Sequence, residues 1–232
     1  MFLLSLVVGL ALGSFVSAFT YRYPRGISIL KGRSFCDKCK RPIGWKENIP
    51  VLSYLLLKGR CKNCKRKISL RYPLIELTTA IGMVLLSGLS NFYFFGPLFL
   101  ILLAVLIIDW EKRMIPDELV FAAIGLTLFY FFLIDYSFIF TNLLCGLTAS
   151  LFLLGLYLVT KGRGMGLGDV KLALLGGLVL GWPNFVVWLF LSFVTGALVG
   201  LILILFKKAK FKEPIPFGPF LVICFWLTVI LR

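Results

Sequence analysis

Apolar runs of roughly 17 to 23 residues recur along most of this chain, each about long enough to cross the hydrocarbon core of a bilayer as a helix. They fall at 2–20, 72–90, 92–108, 118–134, 138–160, 170–182, 185–206 and 215–231. With 60% hydrophobic and only 15% charged residues, the composition lies outside the soluble globular range. The pattern predicts an all-α, polytopic membrane bundle of about eight spans, in which 170–182 is short for a full crossing and so tilts, pairs closely or re-enters.

Cleavable signal peptides carry a basic leading segment, but Met1 to Thr20 carries no charge. The first run is therefore expected to remain as a span and not to be cut after "SFVSA". Three parts follow: a first transmembrane helix at 1–21, a polar four-cysteine loop at 22–71, and a transmembrane bundle at 72–232.

The 25 basic residues greatly outnumber the 10 acidic ones, and their placement sets an orientation. Putting the 22–71 loop in the cytoplasm also puts Lys112, Arg113, Lys161, Arg163, Lys171, Lys207, Lys208, Lys210 and Lys212 there, and leaves only Arg232 outside. Both termini are then external, joined to short outer connections near Ser90–Asn91, Asp135–Tyr136 and Pro183–Asn184. These cations follow the topology and form no aromatic-interleaved groove, so the expected partner of the charge is anionic membrane lipid and not nucleic acid.

The chain has no histidine. That removes Ser-His-Asp hydrolases, Cys-His proteases and HExxH metalloproteases, each of which needs an imidazole as base or ligand. Hydrolytic chemistry here must rest on carboxylates, cysteines or lysine.

Two CxxC pairs occupy the polar loop, Cys36 with Cys39 and Cys61 with Cys64, separated by the 21 residues from Lys40 to Arg60. Each short turn points two sulfurs at one tetrahedral ion, so the spacing predicts a four-thiolate zinc site. Paired disulfides or a redox centre are the alternative, which suits an oxidising compartment and not the cytosol. Four sulfur ligands leave no open position, making the zinc structural, and metal closure would supply much of the folding free energy of a loop with few apolar anchors. Cys145 and Cys224 lie inside apolar blocks and are expected to be small packing residues.

Most acids have ordinary explanations: Asp37 and Glu47 in the polar loop, Asp135 in an outer turn, Glu213 in a basic connector. Asp109, Asp117, Glu118 and Asp169 instead stand at membrane boundaries, and Glu76 lies a little inside the second apolar block. Asp109 directly follows "LFLILLAVLII", and an ionisable group there is costly unless it faces a cavity or a partner. Asp169 ends "GMGLGD" at the same cytoplasmic level, just before another helix, where Gly164, Gly166 and Gly168 are expected to leave room for a substrate backbone. Two carboxylates at equal depth on separate helices can share one proton, one acting as base on water and the other as acid on a peptide carbonyl. Asp117, after Pro116, is expected to cap the next helix and support the site. The competing readings are a helix-end acid wetted by cytosol at Asp109, a glycine turn that merely links two helices at Asp169, and a phosphate-cradling loop, which lacks the lysine-serine pair it needs.

Five stretches together resemble the prepilin peptidases, a family of membrane aspartic proteases, over nearly the whole length: "LGSFVSAFTYRYP", "CDKCKRPIGWKENIPVLSYLLLKGRCKNCKRKISLRYPLIELTTA", "IIDWEKRMIPDEL", "GMGLGDVKL" and "PIPFGPFL". The resemblance implies that Asp109 and Asp169 are the catalytic pair, with Asp117, Gly166, Gly168 and Lys171 in support, in a bacterial inner-membrane enzyme. It implies cleavage after a glycine that ends a short basic leader of a prepilin or pseudopilin. The four cysteines further imply methylation of the new amino terminus with S-adenosylmethionine, for which Lys46, Glu47 and Asn48 are candidate cofactor residues. Two rivals remain: an intramembrane protease like presenilin or signal peptide peptidase, which also uses a glycine-x-glycine-aspartate motif, and a transporter in which the two aspartates relay protons or bind ions.

Overall fold

The computed structural model describes residues 2–29, 32–134, 139–162, 164–206 and 215–231. The expectations for Asp135, Tyr136, Arg163, Lys207, Lys208, Lys210, Lys212, Glu213 and Arg232 lie outside these residues. Two compact units are present, Met1–Ala104 and Val105–Arg232.

In the first unit, α1 (Phe2–Arg22) packs along α3 (Arg71–Leu86), and between them run the polar loop and the short helix α2 (Leu52–Leu56). Gly9 and Gly13, four residues apart on α1, make the close approach possible. A Cβ on Gly9 would stand 2.7 Å from Ala80 Cα, and one on Gly13 2.7 Å from Glu76 Cα. Lipid is as apolar as leucine, so such backbone proximity supplies packing that a hydrophobic driving force cannot. Arg71 fastens one end of the pair. Its Nη1 donates to Ser17 O at 3.2 Å and its Nη2 to Thr20 Oγ1 at 2.8 Å. α4 (Phe92–Lys112) begins in this unit and crosses the boundary into the next.

The second unit adds α5 (Asp117–Ile134), α6 (Ile139–Val159), α7 (Leu167–Leu180), α8 (Asn184–Leu205) and α9 (Gly218–Leu231). The same device pairs α6 with α7: a Cβ on Gly146 would meet Leu174 O at 2.6 Å, and one on Gly177 would meet Cys145 O at 2.6 Å. Trp188 of α8 lies against Gly176 of α7 and donates its indole N–H to Leu221 O of α9 at 2.8 Å. α7 is thereby held between neighbours with most of its length buried. Cys145 and Cys224 are buried among these helices.

Among the described residues the chain is all-helical apart from two isolated antiparallel bridges. Each of the eight apolar blocks contains a long helix, but five are long and apolar enough to cross a membrane: α1, α4, α5, α6 and α8. α3, α7 and α9 run 16, 14 and 14 residues, below the length of a full crossing. Large apolar side chains including Phe121, Phe132, Leu151, Phe190 and Leu201 stand exposed, an arrangement suited to lipid and not to water.

Candidate active site

Asp109 lies in the last turn of α4, which continues to Lys112 and does not stop at the apolar boundary. Asp169 stands in the first turn of α7, inside the helix and not before it as the glycine run suggested. The reason is local. Gly166 and Asp169 form a reciprocal cap, in which the Asp169 N–H donates to Gly166 O at 3.2 Å and the Gly166 N–H donates to Asp169 Oδ2 at 3.0 Å. A helix can thus start at Leu167 with the amide of its cap residue answered by its own aspartate.

Both carboxylates are 5% exposed, and they lie close enough for the charge on one to act on the other. One oxygen of each, Asp109 Oδ2 and Asp169 Oδ1, is buried without a hydrogen-bond partner among the described residues. Buried polar atoms are nearly always paired, so two orphaned carboxylate oxygens mark a site meant for another molecule. The start of α9 approaches Asp109 through the backbone amide of Gly218, and α7 begins beside Asp169. Two helix N-termini therefore present positive dipole ends to the two carboxylates.

Ile115, in the connection between α4 and α5, sits at the centre of this arrangement. A Cβ on Gly168 would come 2.7 Å from Ile115 Cβ, and one on Gly218 would come 2.6 Å from Asp109 Oδ2 and 3.2 Å from Ile115 Cδ1. The space left by Gly168 is thus filled by the protein's own isoleucine and not kept for a substrate backbone, which corrects that expectation. Gly166, whose Cβ would meet only Asp169 Oδ2 at 3.6 Å and Gly168 N at 3.9 Å, remains open. Neither Ile115 nor Gly218 was separable in the sequence from its apolar surroundings. The only signal was their presence in the "RMIPDEL" and "PIPFGPFL" stretches.

Asp117 is the first residue of α5, and its Oδ2 takes an ion pair from Lys171 Nζ at 2.6 Å. The expected capping residue thus spends its carboxylate on α7, two residues beyond Asp169. Glu76, the unexplained acid of the second block, accepts the Val51 N–H through Oε2 at 2.7 Å and so ties α3 to the polar loop.

That loop contains two equivalent knuckles. Cys36 N–H donates to Arg41 O at 3.0 Å and Lys40 N–H to Cys36 O at 2.9 Å; 25 residues on, Cys61 N–H donates to Arg66 O at 2.9 Å and Lys65 N–H to Cys61 O at 3.0 Å. Lys40 and Lys65 both hold positive φ, at 57° and 56°, a conformation non-glycine residues rarely adopt. The bridges Phe35–Pro42 and Arg60–Lys67 close the two turns. All four sulfurs lie within 4.8 Å of one another, and Cys36 Sγ is 3.9 Å from Cys64 Sγ. A Zn–S bond of about 2.3 Å gives a tetrahedral edge of about 3.8 Å, so the donor set fits zinc in size and in chemistry. The Arg41 backbone N–H, with the Asn63 side chain and neighbouring sulfurs, holds the Cys39 thiol down to about 6, and the Cys64 and Asn63 amides lower Cys61. Cys64 has the Arg66 amide favouring its thiolate, yet burial and the three adjacent thiols push it up to about 11. Backbone amides that favour the Cys39 and Cys61 thiolates suit a cation site.

These features define a membrane-embedded helical protein with a buried carboxylate pair and a four-cysteine cluster able to hold a metal ion, the makings of a membrane aspartic hydrolase. Residues 7–89 match the family described as bacterial peptidase A24 N-terminal domain, and residues 96–201 match the type IV leader peptidase family. The chain belongs to the type IV leader peptidase family. It is 37% identical over 214 residues to the prepilin leader peptidase/N-methyltransferase of Aeromonas salmonicida (strain A449), covering 88% of this chain and 72% of that protein. It is 34% identical to the protein of the same name from Pseudomonas putida, over 98% of this chain and 89% of the relative, and 31% identical to that of Neisseria gonorrhoeae, over 97% and 88%. No solved structure matches it.

Proposed function

We propose that this chain is a bifunctional enzyme of the bacterial inner membrane that removes the basic leader from prepilin-like proteins and methylates the amino terminus it exposes. Asp109 and Asp169 are the catalytic pair. The observation that carries the reading is the orphaned oxygen on each of two buried carboxylates, held in mutual electrostatic range at the ends of separate helices.

Two like charges so placed cannot both ionise cheaply, so one proton serves the pair. The ionised aspartate takes a proton from water as that water's oxygen bonds to the scissile carbonyl carbon, and the protonated aspartate gives its proton to the carbonyl oxygen. The tetrahedral diol then collapses: the C–N bond breaks, the leaving nitrogen takes up a proton from the pair, and a carboxylic acid and a free amine result. The transition-state charge is met by the N-termini of α7 and α9. Gly166 stays clear beside Asp169, while Lys171 and Asp117 tie α7 to α5 and hold the depth of Asp169.

The loop at 22–71 faces the cytoplasm in this reading, with both chain termini outside, and Cys36, Cys39, Cys61 and Cys64 hold one structural zinc. S-adenosylmethionine supplies the methyl group, which leaves its sulfonium for the free amine with loss of one proton and release of the neutral thioether. The zinc loop argues against an enzyme of the presenilin type, and family membership argues against a transporter.

The test is the purified protein with a prepilin whose leader ends in glycine before phenylalanine, with and without S-adenosylmethionine, read by mass. Leader loss in both samples and an added methyl in one is the expected result. An uncut prepilin overturns the proposal.

A further inference from the structure

The cysteine loop turns an apolar edge away from the protein. Trp45, Ile49, Leu52, Leu55 and Leu56 are all exposed, Trp45 by 76% and Leu56 by 72%. On α2 the division is regular: Ser53, Tyr54 and Leu57 line a cavity of about 360 Å³ between α1, α3 and the loop, while Leu52, Leu55 and Leu56 face out. Tyr21, Asp37, Glu47, Asn48 and Glu76 stand on the polar part of the same cavity wall. Lys46 instead lies against the Trp45 ring, with Nζ 5.2 Å from its centroid. Five large apolar side chains exposed between Trp45 and Leu56 would be a liability in water, so the edge calls for a partner.

The attachment of α2 sets where that partner lies. Just before α2, the Val51 N–H is held by Glu76, which stands five residues after Arg71 and so about 7.5 Å along the axis of α3. Beyond the other end of α2, the Ile68 N–H donates to Gly59 O at 2.8 Å. α2 is thereby tied on both sides to the opening stretch of α3, where Leu70, Leu74 and Leu77 are exposed. These three and Ile81 form a stripe at helical spacing, on a helix packed along the membrane-length α1, and such a stripe is a face for lipid. The edge of α2 therefore stands at the height where the lipid contact of α3 begins.

The charge beside the edge selects the lipid. No acidic residue lies between Asn48 and Ile75, and Lys58, Arg60, Lys65, Arg66 and Lys67 are exposed in that stretch. Apolar and aromatic side chains enter the boundary between headgroups and acyl chains, while neighbouring cations meet anionic headgroups. A prepilin leader, itself basic in the proposed reaction, would be repelled by the same cations. We propose that the Trp45–Leu56 edge is seated on anionic phospholipid of the membrane that α1 crosses. The cysteine loop is then an interfacial module, with its outer edge in the headgroup layer and its cavity toward the helices. This docking is independent of the chemistry at Asp109 and Asp169.

The test uses full-length, zinc-loaded protein in nanodiscs of phosphatidylethanolamine with phosphatidylglycerol, and reads Trp45 fluorescence as the difference between the wild type and Trp45→Phe. Lipid brominated high in its acyl chains is expected to remove about half or more of that emission, and aqueous acrylamide to quench it at least about threefold less than it quenches tryptophan in water. Replacing phosphatidylglycerol by phosphatidylcholine should cut the lipid quenching about twofold. A photoreactive phosphatidylglycerol should label residues 45–56 of the wild type, a readout that needs no variant. Emission open to acrylamide and untouched by brominated lipid overturns the proposal, as does equal quenching in the two lipid mixtures or label confined elsewhere. Shielding of Trp45 that arises only once prepilin is added overturns it in favour of a protein partner.

Discussion

Replacing Gly218 by alanine perturbs one atom of the proposed active site and almost nothing else. The added Cβ would lie 2.6 Å from Asp109 Oδ2, and contact at ordinary van der Waals distance requires about 3.4 Å, so carboxylate and methyl must separate by about 0.8 Å. The flank is closed, because the same Cβ meets Ile115 Cδ1 at 3.2 Å. A displacement approaching 1 Å in a catalytic group costs about a hundredfold in rate, or about 2.7 kcal/mol of barrier. Prepilin trimming by Gly218→Ala should therefore fall about 100-fold, with the helical circular dichroism and the zinc content of the wild type. Gly125→Ala is the matched control: nothing lies within 4 Å of that position inside α5, and helix propensity there favours alanine by about 1 kcal/mol or less. Trimming by Gly218→Ala within about threefold of the Gly125→Ala control would refute the placement of Asp109 against α9 in the working enzyme.

Asp117→Asn should lower trimming by no more than about fivefold, because a half-exposed ion pair with Lys171 is worth about 1 kcal/mol or less; kcat measurements on the purified variant check this. Cys61→Ser should abolish zinc retention, seen as loss of metal by mass spectrometry of the purified chain and as rapid proteolysis within 34–69.

The four-cysteine cluster was the most legible part of the chain, because a knuckle is a local object whose sulfurs are positioned by turns of a few residues. The helices were legible as apolar lengths, but length alone left open that α3, α7 and α9 fall short of a crossing. Helices apolar on every side give no periodic signal of which face meets which neighbour. Gly9, Gly13, Gly146 and Gly177 set those faces, and their role depends on a partner backbone that sequence does not display. The same limit hid the filling of Gly168 by Ile115, since the two lie more than fifty residues apart. The start of α7 lies three residues before its apolar block because Gly166 and Asp169 cap each other, a reciprocal contact that glycine content obscures. The cavity beside the cysteine loop was invisible for a further reason: Tyr21 and Asp37 have ordinary local settings, Glu76 stood out only as an unexplained acid, and only the pairing of α1 with α3 gathers them.

Sharing of a single proton by Asp109 and Asp169 is tested most directly by comparing Asp109→Asn, Asp169→Asn and the double variant in one prepilin-trimming assay. Groups that work as a unit are non-additive, so each single change should lower the rate by about a thousandfold or more, and the double should be no worse than the poorer single by more than about threefold. Residual trimming within about tenfold of wild type for either single variant, or losses that multiply in the double, would contradict a shared proton.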